Sequence, residues 1–297
     1  MVMGPQRRHL SIILLSLTAL RVGVSGQRGV VFVHGILSGP DEFDTLHKWI
    51  SADFPDLNTT SLDAWNNMRS VEPMWRQVPA FQAQFLQAME SSPDGVVLIC
   101  FSQGGLICRA LLSLTHHNVE TMIALSSPLA GQYGDTKWMQ WFFHDIVQKD
   151  AYKILYTKAG QEFSVGNYWN DPHHHDMYLK EVQFLPLLNN ETYNPNSTEY
   201  KQNFLRLKNL VLVGGPDDGI IGPWQSSQFQ FYDKNDVVQP MANQTWYKND
   251  AFGLRTLAEQ GRIHSHVFPN IYHTHWPRTH DIYLKCIQPW LKPPAFP

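Results

Sequence analysis

Short apolar runs rich in β-branched residues recur along the chain with helical patterns between them, and this alternation limits the fold more than any other feature. VVFVHG (Val30 to Gly35), GVVLICFS (Gly95 to Ser102), TMIALSS (Thr121 to Ser127), NLVLVGG (Asn209 to Gly215) and RIHSHVF (Arg262 to Phe268) read as strands, and NTTSLDAW from Asn58 is a weaker sixth. Unbroken apolar character of this kind marks strands buried on both faces of a parallel sheet. Asp41 to Phe54, Pro73 to Glu90, Gly104 to Leu114 and Thr279 to Leu291 read as helices. The expected fold is α/β, with about six mostly parallel strands, helices on both faces and functional residues just after strands. One stretch, at about 129–205, has no clean strand-helix unit. It is crowded with Trp138, Trp141, Phe142, Phe143, Tyr152, Tyr156, Phe163, Tyr168, Trp169 and Tyr178. A structureless loop of that length is rare in a compact domain, so it reads as an inserted subdomain covering the site, an apolar lid whose rings also pack a small core.

The N-terminus reads as a secretory signal peptide over residues 1–26, with Arg7, Arg8 and His9 before the apolar run Leu10 to Leu20 and small residues at Val24, Ser25 and Gly26. An apolar stretch of about eleven residues falls short of the roughly 20 that cross a bilayer, so no transmembrane segment is expected. Residues 27–297 then form a single domain. N-x-S/T triplets at Asn58, Asn190, Asn196 and Asn243 suit a secretory route and are candidate glycosylation sites. Of three cysteines, Cys100 and Cys108 are expected to pair, since a strand end and the second turn of the next helix come within bridging distance. Cys286 is left as a buried free thiol or as an exposed one available to another chain. A net charge of −3 provides no basic field for a polyphosphate backbone, which excludes nucleic acid as a partner. The 16 Phe, 11 Tyr and 10 Trp suit a site for an apolar ligand, and the 14 His are compatible with an acidic lumen.

CFSQGG, Cys100 to Gly105, stands where a buried strand ends and a helix begins. A sharp strand-to-helix turn needs small neighbours and presents a Ser hydroxyl at a helix N-terminus, which makes Ser102 the candidate nucleophile. Cys100 replaces the first Gly of the usual G-x-S-x-G pattern. A Ser hydroxyl needs a base to take its proton and an acid to orient that base, in the chain order Ser, Asp or Glu, His. Asp217 and Asp218 follow the fifth strand, and His273 and His275 follow the sixth. Asp218 is favoured by its place next to Gly219-Ile220-Ile221, while both histidines remain candidates at this point. An oxyanion hole would use the N–H groups of Gln103, after the nucleophile, and Ile36, after His34-Gly35.

Taken together, VVFVHG, CFSQGGLICRALL, LSSPLAGQYGDT, GQEFSVGNYWNDPHHHDMYL, LVLVGGPDDGIIGPWQSSQFQFYD and CIQPWL resemble the lysosomal palmitoyl-protein thioesterases, from about Gly29 to Leu291. The resemblance implies an α/β-hydrolase fold that cleaves long-chain fatty acyl thioesters, such as palmitoyl-CoA, by a Ser-Asp-His triad and an acyl-enzyme. It implies no cofactor, a lysosomal or secreted location and a monomer. It carries the nucleophile to Ser102, the acid to Asp218 and the base to His273. Cys100 agrees with the second branch of the family. Members of that branch look richer in cysteine, and the regions around Leu155, Val165 and Val267 lack the expected partners. His173, His174, His175 and Asp176 read as part of the lid and not as a metal site, because adjacent side chains rarely converge on one ion. The competing functions are a carboxylester lipase and a non-catalytic lipid-binding protein.

Overall fold

The computed structural model describes residues 28–134 and 148–292. The signal-peptide reading and Trp138, Trp141, Phe142 and Phe143 lie outside the described residues. Six strands form one sheet: β1 (Gly29–Val33), β2 (Asn58–Ser61), β3 (Val96–Phe101), β4 (Val119–Leu125), β5 (Asn209–Gly214) and β8 (Ile263–Val267). Every pairing is parallel, in the order β2-β1-β3-β4-β5-β8. Two-residue strands β6 (Phe231–Tyr232) and β7 (Val238–Gln239) make a separate antiparallel ribbon. This is the α/β-hydrolase arrangement expected from the sequence.

Alternation along the strands sorts their side chains into two cores. Val31, Val33, Leu98, Cys100, Met122, Ala124, Leu210 and Leu212 pack with α2 (Met74–Glu90), α3 (Gly104–Leu114) and buried residues of the 129–205 segment. Val30, Phe32, Val97, Ile99, Ile123, Leu125, Val211 and Val213 pack with α1 (Asp44–Asp53) and with Ile282, Tyr283, Cys286, Ile287 and Leu291 at the C-terminal end. Each buried Val, Leu, Ile, Phe or Met among them removes enough apolar surface to contribute about 1.5–3 kcal/mol before the entropy of ordering it is charged. The Cys286 thiol is therefore free and buried, and desolvation pushes it up to about 12.

Two predicted helices differ in detail. The first begins as a 3-10 turn, Pro40–Phe43, before α1. The last is broken into His280–Ile282, a π turn at Tyr283–Ile287 and Gln288–Leu291. Pro289 has no N–H to give to a carbonyl one turn earlier, so a regular ladder cannot run through it.

Between β4 and β5 lie short helices, among them Tyr152–Leu155, His175–Glu181, Leu185–Leu188 and Ser197–Phe204. Leu155 and Val165, where cysteines were expected from the resemblance, both sit in the larger hydrophobic cluster. Arg109 ties this segment to α3 from inside the protein. Its guanidinium donates to the Leu129 carbonyl at 2.9 Å and to Asn189 Oδ1 at 2.8 Å, and lies over the Phe229 and Phe252 rings at 5.1 and 4.5 Å.

Candidate active site

The turn between β3 and α3 places Ser102 at the carboxyl edge of the sheet, with its backbone at φ 53°. A non-glycine residue rarely holds this left-handed conformation, and bonds on both sides fix it here. Ser102 N–H donates to the Leu125 carbonyl at 3.0 Å, and the Ser102 carbonyl accepts from Gly105 N–H at 3.0 Å. Gly104 cannot be enlarged, since a Cβ there would stand 2.3 Å from the Val33 carbonyl oxygen and 2.6 Å from that of His34. Cys100 and Cys108 form a disulfide with Cα atoms 6.6 Å apart, so the residue replacing the motif's first Gly ties the strand to the helix.

His273 Nε2 stands 2.9 Å from Ser102 Oγ, and His273 Nδ1 lies 2.8 Å from Asp218 Oδ2. The three side chains are thus hydrogen-bonded in series, and all three residues are buried. The geometry separates the candidates that the sequence left side by side. His275 is exposed, and Asp217 is exposed and accepts from Asn270 N–H at 2.8 Å. The Asp218 carboxylate also accepts from Ile220 and Ile221 N–H at 3.0 and 2.8 Å, Ser126 Oγ at 2.5 Å and Trp276 Nε1 at 2.7 Å. Burial alone would raise its pKa; the bonds and charge of His273, the Ile221 N–H and Ser126 outweigh burial and hold it below the usual carboxylate range. Sequence reasoning missed Ser126 and Trp276. Ser126 follows β4 directly at the sheet edge where functional residues were expected, so its position was a usable signal; nothing marked the direction of the Trp276 indole.

Among the described residues, the N–H groups of Ile36 and Gln103 have no hydrogen-bond acceptor within the protein. Ile36 and Ser102 line a narrow cleft, open to solvent, together with Pro128, Gln132, Val165, Tyr168, Ile220 and Ile221. Val165 and Tyr168 come from the segment between β4 and β5, which forms one wall. Among the described lining residues, Ser102 and Gln132 are the only ones with side chains that are neither aliphatic nor aromatic. Among the described residues no group of three or more His, Cys, Asp or Glu could hold a metal ion. Of the histidine run, His173 pairs with Asp236 and His174 with Asp171, each at 2.9 Å.

A family model described as Palmitoyl protein thioesterase matches residues 29–273. The chain is 47% identical to the Lysosomal thioesterase PPT2 of Rattus norvegicus over 263 residues, covering 88% of this chain and 87% of that protein. It is 46% identical to the Lysosomal thioesterase PPT2 of Homo sapiens over 279 residues, covering 94% and 92%. Among solved structures, it is similar to a chain from the metagenome-derived lipolytic enzymes LipS and LipT, with a TM-score of 0.49, 9% identity and coverage of 89% and 93%.

Proposed function

The chain belongs to the palmitoyl protein thioesterase family, and on that premise we propose that Ser102, His273 and Asp218 carry out its hydrolysis of long-chain acyl thioesters. One observation supports this reading above others: the unbroken series from Ser102 Oγ through His273 to Asp218 opens on an apolar cleft. His273 Nε2 takes the Ser102 proton as Oγ attacks the thioester carbonyl. The tetrahedral oxyanion is held by the N–H groups of Ile36 and Gln103. The carbon-sulfur bond breaks, the thiol leaves with the proton from His273, and an ester on Ser102 remains. Water then gives its proton to His273, attacks that ester and releases the fatty acid, returning the proton to Ser102.

The segment at about 129–205 serves as the lid of a single domain comprising residues 27–297, its Val165 and Tyr168 lining the acyl side of the cleft. Palmitoyl-CoA or another small thioester suits a cleft walled in this way better than a protein surface does. The relatives named lysosomal support a lumenal address reached through the signal peptide at 1–26. Among the described residues no helix is long and apolar enough to cross a membrane. Asn58, Asn196 and Asn243 are exposed and Asn190 is half-buried; Asn190 Nδ2 donates to the Ala251 carbonyl at 2.8 Å and Asn243 Nδ2 to Gln239 Oε1 at 3.0 Å. Ser102→Ala is expected to abolish palmitoyl-CoA hydrolysis with little change in melting temperature. A purified variant that still turns the substrate over at a tenth of the wild-type rate or more would sink the assignment, and matched thioester and oxoester substrates in the same assay separate a thioesterase from a carboxylester lipase.

A further inference from the structure

The N–H groups of Ile36 and Gln103 lie on two unconnected segments, the loop after β1 and the turn before α3. A donor pair of this kind works only if both members are fixed before charge develops. Ser70 touches both segments. It lies in the 3-10 turn Asn67–Val71, is 1% exposed and is not among the residues lining the cleft. Its Oγ accepts from Leu37 N–H at 2.6 Å and donates to the Asn67 carbonyl at 2.5 Å. Leu37, whose N–H belongs to the peptide following Ile36, sits at φ 57°, a left-handed conformation uncommon outside glycine. The Ser70 carbonyl accepts from Gln103 Nε2 at 2.8 Å and from Gln77 Nε2 at 2.8 Å. Tyr168 O–H donates to Gln103 Oε1 at 3.2 Å, so both ends of that amide are held.

We propose that Ser70 is a positioning residue for thioester hydrolysis, with its side chain fixing the Ile36 arm of the oxyanion hole and its carbonyl fixing the Gln103 arm. The proposal rests on the reading of Ile36 and Gln103 given above. Ser70→Ala removes the acceptor of Leu37 N–H and leaves the carbonyl, so it loosens one arm only. Losing a whole oxyanion donor costs on the order of 10²–10³ in turnover, and a displaced one should cost about ten- to a hundredfold.

The test uses the full-length enzyme with palmitoyl-CoA as substrate and a long-chain trifluoromethyl ketone as a tetrahedral mimic. In Ser70→Ala, kcat is expected to fall about ten- to a hundredfold with KM within roughly twofold, and ketone affinity to weaken in parallel with kcat. Ser70→Thr, which keeps the hydroxyl, is expected to recover most of the loss. If Ser70→Ala does not fold, Ser70→Cys keeps the volume with a weaker acceptor and takes its place in every measurement. Wild-type kcat in Ser70→Ala (or in Ser70→Cys where it takes its place), or a loss of kcat with unchanged ketone affinity, overturns the proposal. If Ser102→Ala is inactive while Ser70→Ala is normal, only the Ser70 role falls; if Ser102→Ala is itself active, the site reading falls and the Ser70 role with it.

Discussion

Asp218 keeps a negative charge inside the protein because donors arrive from four directions: the base, the two N–H groups that follow it, the hydroxyl after β4 and an indole from the C-terminal turn. An isolated buried carboxylate would take up a proton instead. Its lowered pKa means that Asp218 stabilises the fold above the unfolded carboxylate range, near pH 4, and that this contribution is lost as pH falls through the folded value. Asp218→Asn would turn the His273 ring toward the wrong tautomer, and a drop in kcat of about 10⁴ is expected in a steady-state palmitoyl-CoA assay. A variant within tenfold of wild type would show that the base does not need this partner. At this scale the sequence was legible where chain order and strand ends carried the information, which led to Ser102, Asp218 and His273. It was silent on Ser70 and Trp276, because their role lies in where a side chain points across elements far apart in the chain, while Ser126 carried a signal in its place just after β4.

Among the elements, the β3-α3 unit was read almost in full from the sequence, since an apolar strand, small residues and an apolar helix leave few alternatives. The Cys100–Cys108 disulfide closes a loop with a sequence separation of 8, for which chain entropy predicts a stabilisation of about 2–3 kcal/mol. Cys100→Gly with Cys108→Ala restores the usual glycine and removes the crosslink. Chemical denaturation should show a loss of at least that size, while kcat per folded molecule stays within about twofold; a collapse in kcat at full folding would make the disulfide part of the chemistry. Boundaries were less legible. The six strands lie close to the runs read for them, but the final helix is broken by the π turn Tyr283–Ile287, where the donor missing at Pro289 outweighs the spacing that suggested a continuous helix.

For the molecule as a whole, acidity acts on the junction between α3 and the segment that forms one wall of the cleft. Glu191 accepts from Asn189 Nδ2 at 2.9 Å and Tyr178 O–H at 3.1 Å, and burial raises it to about 7 against those bonds and the Arg109 charge. Between its ordinary value of 4.5 and about 7, the folded protein holds a proton that the unfolded chain has released. Stability from this group is therefore gained as pH falls through that window and lost as pH rises through about 7. Glu191→Gln should melt higher than wild type at pH 7.5 and close to it at pH 5; calorimetry finding the same gap at both values would remove Glu191 as the cause. The strand order has a consequence in time as well as in space. Ser102 and His273 are 171 residues apart, and His273 follows β8, the last strand of the sheet in chain order, so it is made only after β1 to β5. During synthesis the Cys100–Gly105 segment is therefore made well before the histidine that stands beside its serine. On the proposed triad, hydrolysis is expected only once His273 is in place, and a chain interrupted before it is expected to have none.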